Sequence, residues 1–527
     1  MHATGIQPGE YRGIEANALV RTHLAPAALE QLNDRITLHN TDVIVAMGME
    51  QLNRVYDHLQ EEQGNLARVA QNLSTEWDPV ARMAELASET LELRQCNEIF
   101  VEAALRLDLD VSGQQPVTAQ SWSALLAAAD AYRTMTTLSE RLHHRVAPVI
   151  IEISSAYELT FKDDEHVIDD SWVLEGGSLN TAAATIRLGP VLDDDEVGAG
   201  GLEDAVDLAM LESFGASTSD LFIVLMALAQ WDSFDDGSCI TFASGEEALS
   251  WVFEAVGDPE EEQRLRLRHA FRMLTVSSDI LRSSSWEPWQ SRTRRHRLLV
   301  QPLVRRPDGT ILIAPQYFLT TLSVYNNHLT QGVLPWTGEV PDKVSKALAE
   351  RRSGRNRAFE RTLERRLQEV GFKTIARVKP GDHARLGVPE LTTEVDLVCG
   401  RSGDPNIWLI EAKDPASVYG FAETARQLRT FYSDSENKGK VKPCYATQLA
   451  RKEAELKPYV EDIAKKLGVE PVPDHGAHVL QTCFVTRHLV PAGYWVSRPY
   501  EVLTTSQFLA ALGEGGDAIA QDARDQT

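Results

Sequence analysis

Two short apolar runs joined by a turn constrain this chain more than any other part of it. Between Thr393 and Asp414 the order is Thr-Glu-Val-Asp-Leu-Val-Cys, then Gly400-Arg-Ser-Gly-Asp-Pro-Asn406, then Ile-Trp-Leu-Ile-Glu-Ala-Lys-Asp. The runs have the length and apolar content of strands and the residues between them have turn chemistry, so a hairpin is expected. Side chains alternate across a strand. Glu394 and Asp396 therefore share a face opposite Val395, Leu397 and Cys399, and Glu411 and Lys413 share a face opposite Trp408, Ile410 and Ala412.

Carboxylates and an amine held together on two strands suit a hard divalent cation, because Mg²⁺ takes oxygen ligands and is commonly held by one or two carboxylates. Such a cation activates water and offsets charge on a phosphoryl group, and an ammonium can orient that water. These are parts for phosphodiester hydrolysis. Taken alone, Glu-Ala-Lys describes any half-exposed strand equally well, so its flanks decide. Upstream, Asn356 to Phe372 reads as an amphipathic helix with Phe359, Leu363, Leu367 and Val370 on one stripe and Gly371 as its stop, followed by a strand to Val378. Downstream, the pattern gives a helix over Phe421 to Tyr432, another from about Lys452 to Leu467, and a strand from His478 to Leu489.

That order and those residues resemble the restriction-endonuclease-like PD-(D/E)XK nucleases over roughly Arg351 to Leu512. The resemblance implies an α/β (α+β) domain with a mixed central sheet flanked by helices. It maps the signature carboxylates onto Asp396 and Glu411 and the lysine onto Lys413. It also implies Glu360 as a third, helix-borne acid, with Glu364 as runner-up, and Gln427 as a supporting residue. Val395 stands where many members have proline. The implied cofactor is Mg²⁺ or Mn²⁺, held by Asp396, Glu411 and Glu360. The implied substrate is nucleic acid, DNA ahead of RNA, in restriction or anti-phage defence. The competing expectation is a catalytically silent scaffold that uses a nuclease-like fold to bind nucleic acid or a partner.

The whole chain of 527 residues carries a net charge of −25, which argues against nonspecific coating of nucleic acid. Its basic residues are clustered, however. Arg351 to Arg366 holds seven Arg against two Glu, and Arg282 to Arg297 five Arg against one Glu. Arg351, Arg352, Arg355 and Arg357 are accordingly candidates for a basic groove, against the alternative of a solvated helix face with ion pairs such as Arg357–Glu360 and Arg361–Glu364. Trp286 and Trp289, near Arg292 to Arg297, are candidates for base stacking, with packing the stronger alternative.

Four regions are expected: a mostly α-helical domain over 1–150, a mixed region with hairpins over 151–340, the nuclease-like domain over 345–515, and a disordered tail over 516–527. In the first, Thr41 or Asp42 caps a helix whose Met49, Leu52, Tyr56, Leu59, Leu66 and Leu73 form a heptad-like seam, leaving a homodimer or partner subunit open. In the second, Val149 to Ile153 reads as a strand, Asp163 to Asp170 and Val191 to Gly201 as acidic loops, and Arg297 to Phe318 as a hairpin beside the nuclease-like sheet. Cys96, Cys239, Cys399, Cys444 and Cys483 have no metal-ligand spacing and read as reduced thiols, and His143–His144 as a solvated or capping pair. No Walker loop, dinucleotide fingerprint or kinase set occurs. The apolar run Leu221 to Ala229 is too short for a bilayer, so no membrane contact and a cytoplasmic location are expected.

Overall fold

The computed structural model describes residues 6–70, 79–107, 113–146, 149–164, 199–229, 238–284, 287–338, 340–418, 420–437, 440–470 and 476–513. The chain is a mixed α/β protein of two compact units, one built from residues 1–166, 177–350 and 420–422 and the other from 167–176, 351–419 and 423–527. Leu73, Trp286, the acidic stretches 165–170 and 191–198, and the tail 516–527 lie outside the described residues.

The first unit is mainly helical: α1 (Gly13–Leu19), α2 (Ala25–Ile36), α3 (Thr41–Ala70), α4 (Pro79–Arg106), α5 (Ala119–His144), α6 (Ala199–Phe214), α7 (Thr218–Ala229), α8 (Gly245–Ala255), α9 (Glu261–Met273), α10 (Ser278–Ser283) and α11 (Pro315–Thr330). Its strands are β1 (Gly9–Tyr11), β2 (Val149–Ile153), β3 (Leu159–Asp163), β4 (Ile240–Phe242), β5 (Thr275–Ser277), β6 (Leu303–Arg305) and β7 (Ile311–Ile313). The boundary expected at residue 150 is absent. β2 pairs antiparallel with β1 from the start of the chain, and Leu32, Phe100 and Ala129 share one apolar cluster with Val276, Leu298 and Tyr317.

Several local expectations change. The cap of α3 is Asn40, whose Oδ1 accepts from the backbone N–H of Asp42 at 2.9 Å and of Val43 at 3.3 Å. Met49 and Leu52 of the seam are buried in the unit's own core; the seam beyond them lies outside the described side chains. The Arg306-Pro-Asp-Gly309 turn closes a hairpin as expected, with Gly309 at φ +88° and β6 antiparallel to β7. That hairpin belongs to its own sheet, ordered β4-β7-β6-β5. The half-buried His143 ring stacks on Trp289 at 3.8 Å, so this tryptophan packs within the protein. Among the described residues no single helix is long and apolar enough to cross a membrane. All five cysteines are free thiols, and all but Cys239 are buried.

The second unit carries the expected sheet. Its elements are α12 (Asp342–Glu369, entering from the first unit), β8 (Lys373–Val378), β9 (Val395–Gly400), β10 (Asn406–Lys413), α13 (Phe421–Tyr432), β11 (Ser435–Asn437), β12 (Lys440–Lys442), α14 (Tyr445–Leu456), α15 (Val460–Leu467), β13 (Val479–Thr486), β14 (Glu501–Thr504) and α16 (Thr505–Gly513). The five-stranded order is β14-β13-β10-β9-β8. β8, β9 and β10 run antiparallel in turn, while β10–β13 and β13–β14 are parallel, which makes the sheet mixed.

Alternation along β10 sorts its residues onto two cores. Trp408, Ile410 and Ala412 join Phe359, Leu363 and Leu367 of α12 and Phe508 of α16. Ile407 and Leu409 join Phe431 of α13, Leu449 and Leu456 of α14, and Ile463 of α15. Helices thus cover both faces, and the central strands read as near-continuous apolar runs for that reason. Val370 is not on the α12 stripe: the helix ends at Glu369, Gly371 takes φ +89°, and Val370 is left exposed. The single helix expected from Lys452 to Leu467 is two, separated by a 3₁₀ turn at Lys457–Tyr459 that contains Pro458, because proline cannot donate to the helical ladder.

Candidate functional site

The hairpin register brings the charged residues together. β9 and β10 pair Leu409 with Val398 and Ile410 with Leu397, so the next step along the ladder sets Glu411 opposite Asp396 on the same face. Two carboxylates in such positions repel each other, and two ammonium groups resolve the conflict. Lys413 Nζ lies 2.9 Å from Asp396 Oδ2 and 2.8 Å from Glu411 Oε1. Lys452 Nζ lies 2.5 Å from Glu411 Oε2 and 3.6 Å from Asp396 Oδ1. All four carboxylate oxygens face an ammonium.

The group is secluded: the Glu411 side chain is 2 % exposed and that of Lys452 4 %. Burial works to lower the Lys413 ammonium, but Glu411 and Asp396 beside it outweigh that and hold it above the ordinary lysine value. Its Nζ also sits 5.1 Å from the ring centroid of Tyr445, the first residue of α14, a cation–π contact that helps fix it. Glu360 on α12 answers to the same cluster. Burial, and then the charge of Asp396, push its carboxyl up to about 7, against the opposing pull of Lys413 and Arg377.

The other anticipated residues divide. Glu364, the runner-up acid, is taken by Arg377 at 2.6 Å, which adopts a left-handed φ of 52° in β8. Glu394 precedes β9 and is exposed. Gln427 is buried, its Nε2 donating to Ala416 O at 3.3 Å, while its Oε1 is buried with no protein partner. Of the four candidate groove arginines, Arg352 and Arg357 are exposed and Arg351 is buried. Arg355 makes a forked pair with Asp414, its Nη2 3.1 and 3.0 Å from the two oxygens. Arg487 closes on the same carboxylate at 3.3 Å, and Asn356 Oδ1 accepts from the Asp414 N–H at 2.9 Å. That clamp anchors the chain directly after Lys413.

Lys452 was not expected here, although the sequence carries a signal for it: it occupies the buried stripe Ala446, Leu449, Lys452, Leu456 of α14, and a lysine in a core stripe needs a carboxylate.

The fit to a divalent cation can be stated from the donors. Asp396 and Glu411 offer oxygens from neighbouring strands, and Glu360, its carboxyl raised first by burial and then by the charge of Asp396, stands close enough to feel them. Among the described residues no three or more His, Cys, Asp or Glu side chains are already gathered at metal-holding spacing. Asp396 and Glu411 are oxygen donors of the type a divalent cation takes, and in this structure both are ion-paired with Lys413 and Lys452. Searches against family models, curated proteins and solved structures give no match to this chain.

Proposed function

We propose that this chain is a divalent-cation-dependent nuclease of the restriction-endonuclease-like kind, acting on DNA ahead of RNA. One observation carries the reading. Asp396, Glu411 and Lys413 converge within 2.9 Å contacts at the end of two adjacent strands, in a mixed sheet covered by helices on both faces. Asp396 and Glu411 would hold Mg²⁺ or Mn²⁺, with Glu360 assisting. Bound there, the cation would supply charge stabilisation at a phosphoryl oxygen and a more acidic water.

The chain's own groups do the rest. Lys413, kept protonated by its carboxylate neighbours, donates hydrogen bonds to the attacking water or to a phosphoryl oxygen. Glu360, whose carboxyl is raised by burial and by Asp396 in the metal-free chain, would give up its proton as it assists the cation. Hydrolysis forms a bond from the water oxygen to phosphorus and breaks one phosphate ester bond, leaving a phosphate end and a hydroxyl end. Arg352 and Arg357, exposed on α12, would contact the phosphate backbone.

The closed quartet of Asp396, Glu411, Lys413 and Lys452 favours a second reading, a nonhydrolytic scaffold whose charges already satisfy one another. A thermal melt with and without Mn²⁺ separates the two. A cation-binding site raises the melting temperature in proportion to the logarithm of metal concentration, and Asp396→Ala abolishes the shift. A scaffold melts identically in both conditions.

A further inference from the structure

The four carboxylate oxygens of the site are divided between two lysines of different construction. Lys413 belongs to β10, which is paired on both sides, and it stands in register with Thr486 of β13. Its backbone is fixed, and it holds Asp396 and Glu411 at nearly equal distances of 2.9 and 2.8 Å. Lys452 reaches in from the buried face of α14. It is close to Glu411 at 2.5 Å but distant from Asp396 at 3.6 Å. A divalent cation that takes one oxygen from each carboxylate, while Lys413 keeps the other two, must take the oxygens that Lys452 faces.

We propose that Lys452 is the resident counter-ion of this site: its ammonium fills the space between Asp396 and Glu411 that a divalent cation needs, and it must withdraw before metal loads. The inference rests on the cation-site reading above and adds to it a residue that sets metal affinity. Two positive charges cannot share that space, because like charges a few ångströms apart in a buried site repel strongly. The apparent affinity of the protein for metal is then its intrinsic affinity reduced by the fraction of molecules in which Lys452 has moved away. The lysine also explains how two opposed carboxylates persist, since without it Glu411 keeps only Lys413.

The test is a Mn²⁺ titration of the full chain, followed by the magnetic resonance signal of free Mn²⁺, for the wild type, Lys452→Met, Lys452→Arg and Lys413→Met. Lys452→Met is expected to bind Mn²⁺ about tenfold more tightly or better. Lys452→Arg keeps the charge and gains nothing, and Lys413→Met gains less than Lys452→Met. If folded Lys452→Met binds no more tightly than a wild type that does bind, the counter-ion proposal is overturned and the nuclease reading stands. If neither binds Mn²⁺, both fall.

Should Lys452→Met not fold, the wild type supplies the answer through amine acylation quantified by mass spectrometry. Lys452, 3 % exposed, should label several-fold faster with saturating Mn²⁺ than with chelator, and Lys413 should not. Equal labelling of Lys452 in a metal-bound protein overturns the proposal.

Discussion

Glu102 in the first unit and Glu411 in the second are both buried carboxylates facing basic side chains, yet their surroundings differ. Glu102 is paired with Arg294 and also accepts the backbone N–H of Leu298 at 2.7 Å. Its neighbour Glu98 accepts the Tyr317 hydroxyl at 2.6 Å and meets Arg94 at 3.2 Å. These bonds tie α4 to the segment before β6 and to α11, so the charges act as fastenings between elements. Among the described residues Glu411 meets two ammonium groups, and it shares both with a second carboxylate, Asp396. A charge committed to backbone and neutral donors has little capacity for a ligand, whereas one balanced by ammonium groups is open to exchange with another cation.

Substitutions can break that contrast. The largest expected effect is on cleavage: Asp396→Asn or Lys413→Met should lower the rate by ~10³-fold or more. Asp396→Asn should cost less stability than Glu102→Ala, because Lys413 and Lys452 both keep Glu411 and the amide oxygen still accepts a hydrogen bond. The reverse pattern is expected for Glu102→Ala. It removes the carboxylate paired with Arg294 and the acceptor of the Leu298 N–H, should cost about 3–4 kcal/mol in urea unfolding, and should leave the chemistry of the folded fraction unchanged. A smaller loss, about 1.5–2 kcal/mol, is expected for Tyr317→Phe, which removes a hydrogen bond to a buried carboxylate.

The smallest effect is a pH slope. The Glu360 carboxyl is raised from an ordinary 4.5 to about 7 in the fold, so the folded chain holds this proton more tightly than the unfolded chain. Its contribution to stability is complete below pH 4.5 and is lost as pH rises towards 7. Glu360→Gln should remove that slope and gain about 1 kcal/mol over the wild type at pH 8, a value reduced for screening at a partly exposed site. Unfolding midpoints of both proteins across pH 4–8 check it.

The sequence made the central hairpin legible because two-residue alternation and a turn are local signals. They were enough to put Asp396, Glu411 and Lys413 on one face. Glu360 was reached only through the resemblance, since nothing in its own helix distinguishes it from Glu364; the difference is that Arg377 captures Glu364 from an adjacent strand. Arg355 read as part of a solvated or nucleic-acid-facing run because its partner, Asp414, lies 59 residues away. The pairing of β1 with β2 is likewise long-range, and it erased the expected boundary at residue 150. Lys452 was legible in principle as a lysine on an apolar stripe, but reading its helix as starting at residue 452 hid the stripe that begins at Ala446.

The central claim is that this cluster hydrolyses phosphodiester bonds with the help of a divalent cation. It is tested most directly by incubating the wild-type chain with double-stranded DNA, single-stranded DNA and RNA in Mg²⁺, Mn²⁺ or chelator and resolving the products by length. Cleavage of at least one substrate, DNA first, is expected, and chelator should abolish it. Cleavage that persists in chelator would contradict the claim, as would intact substrates in every metal together with no Mn²⁺-induced stabilisation.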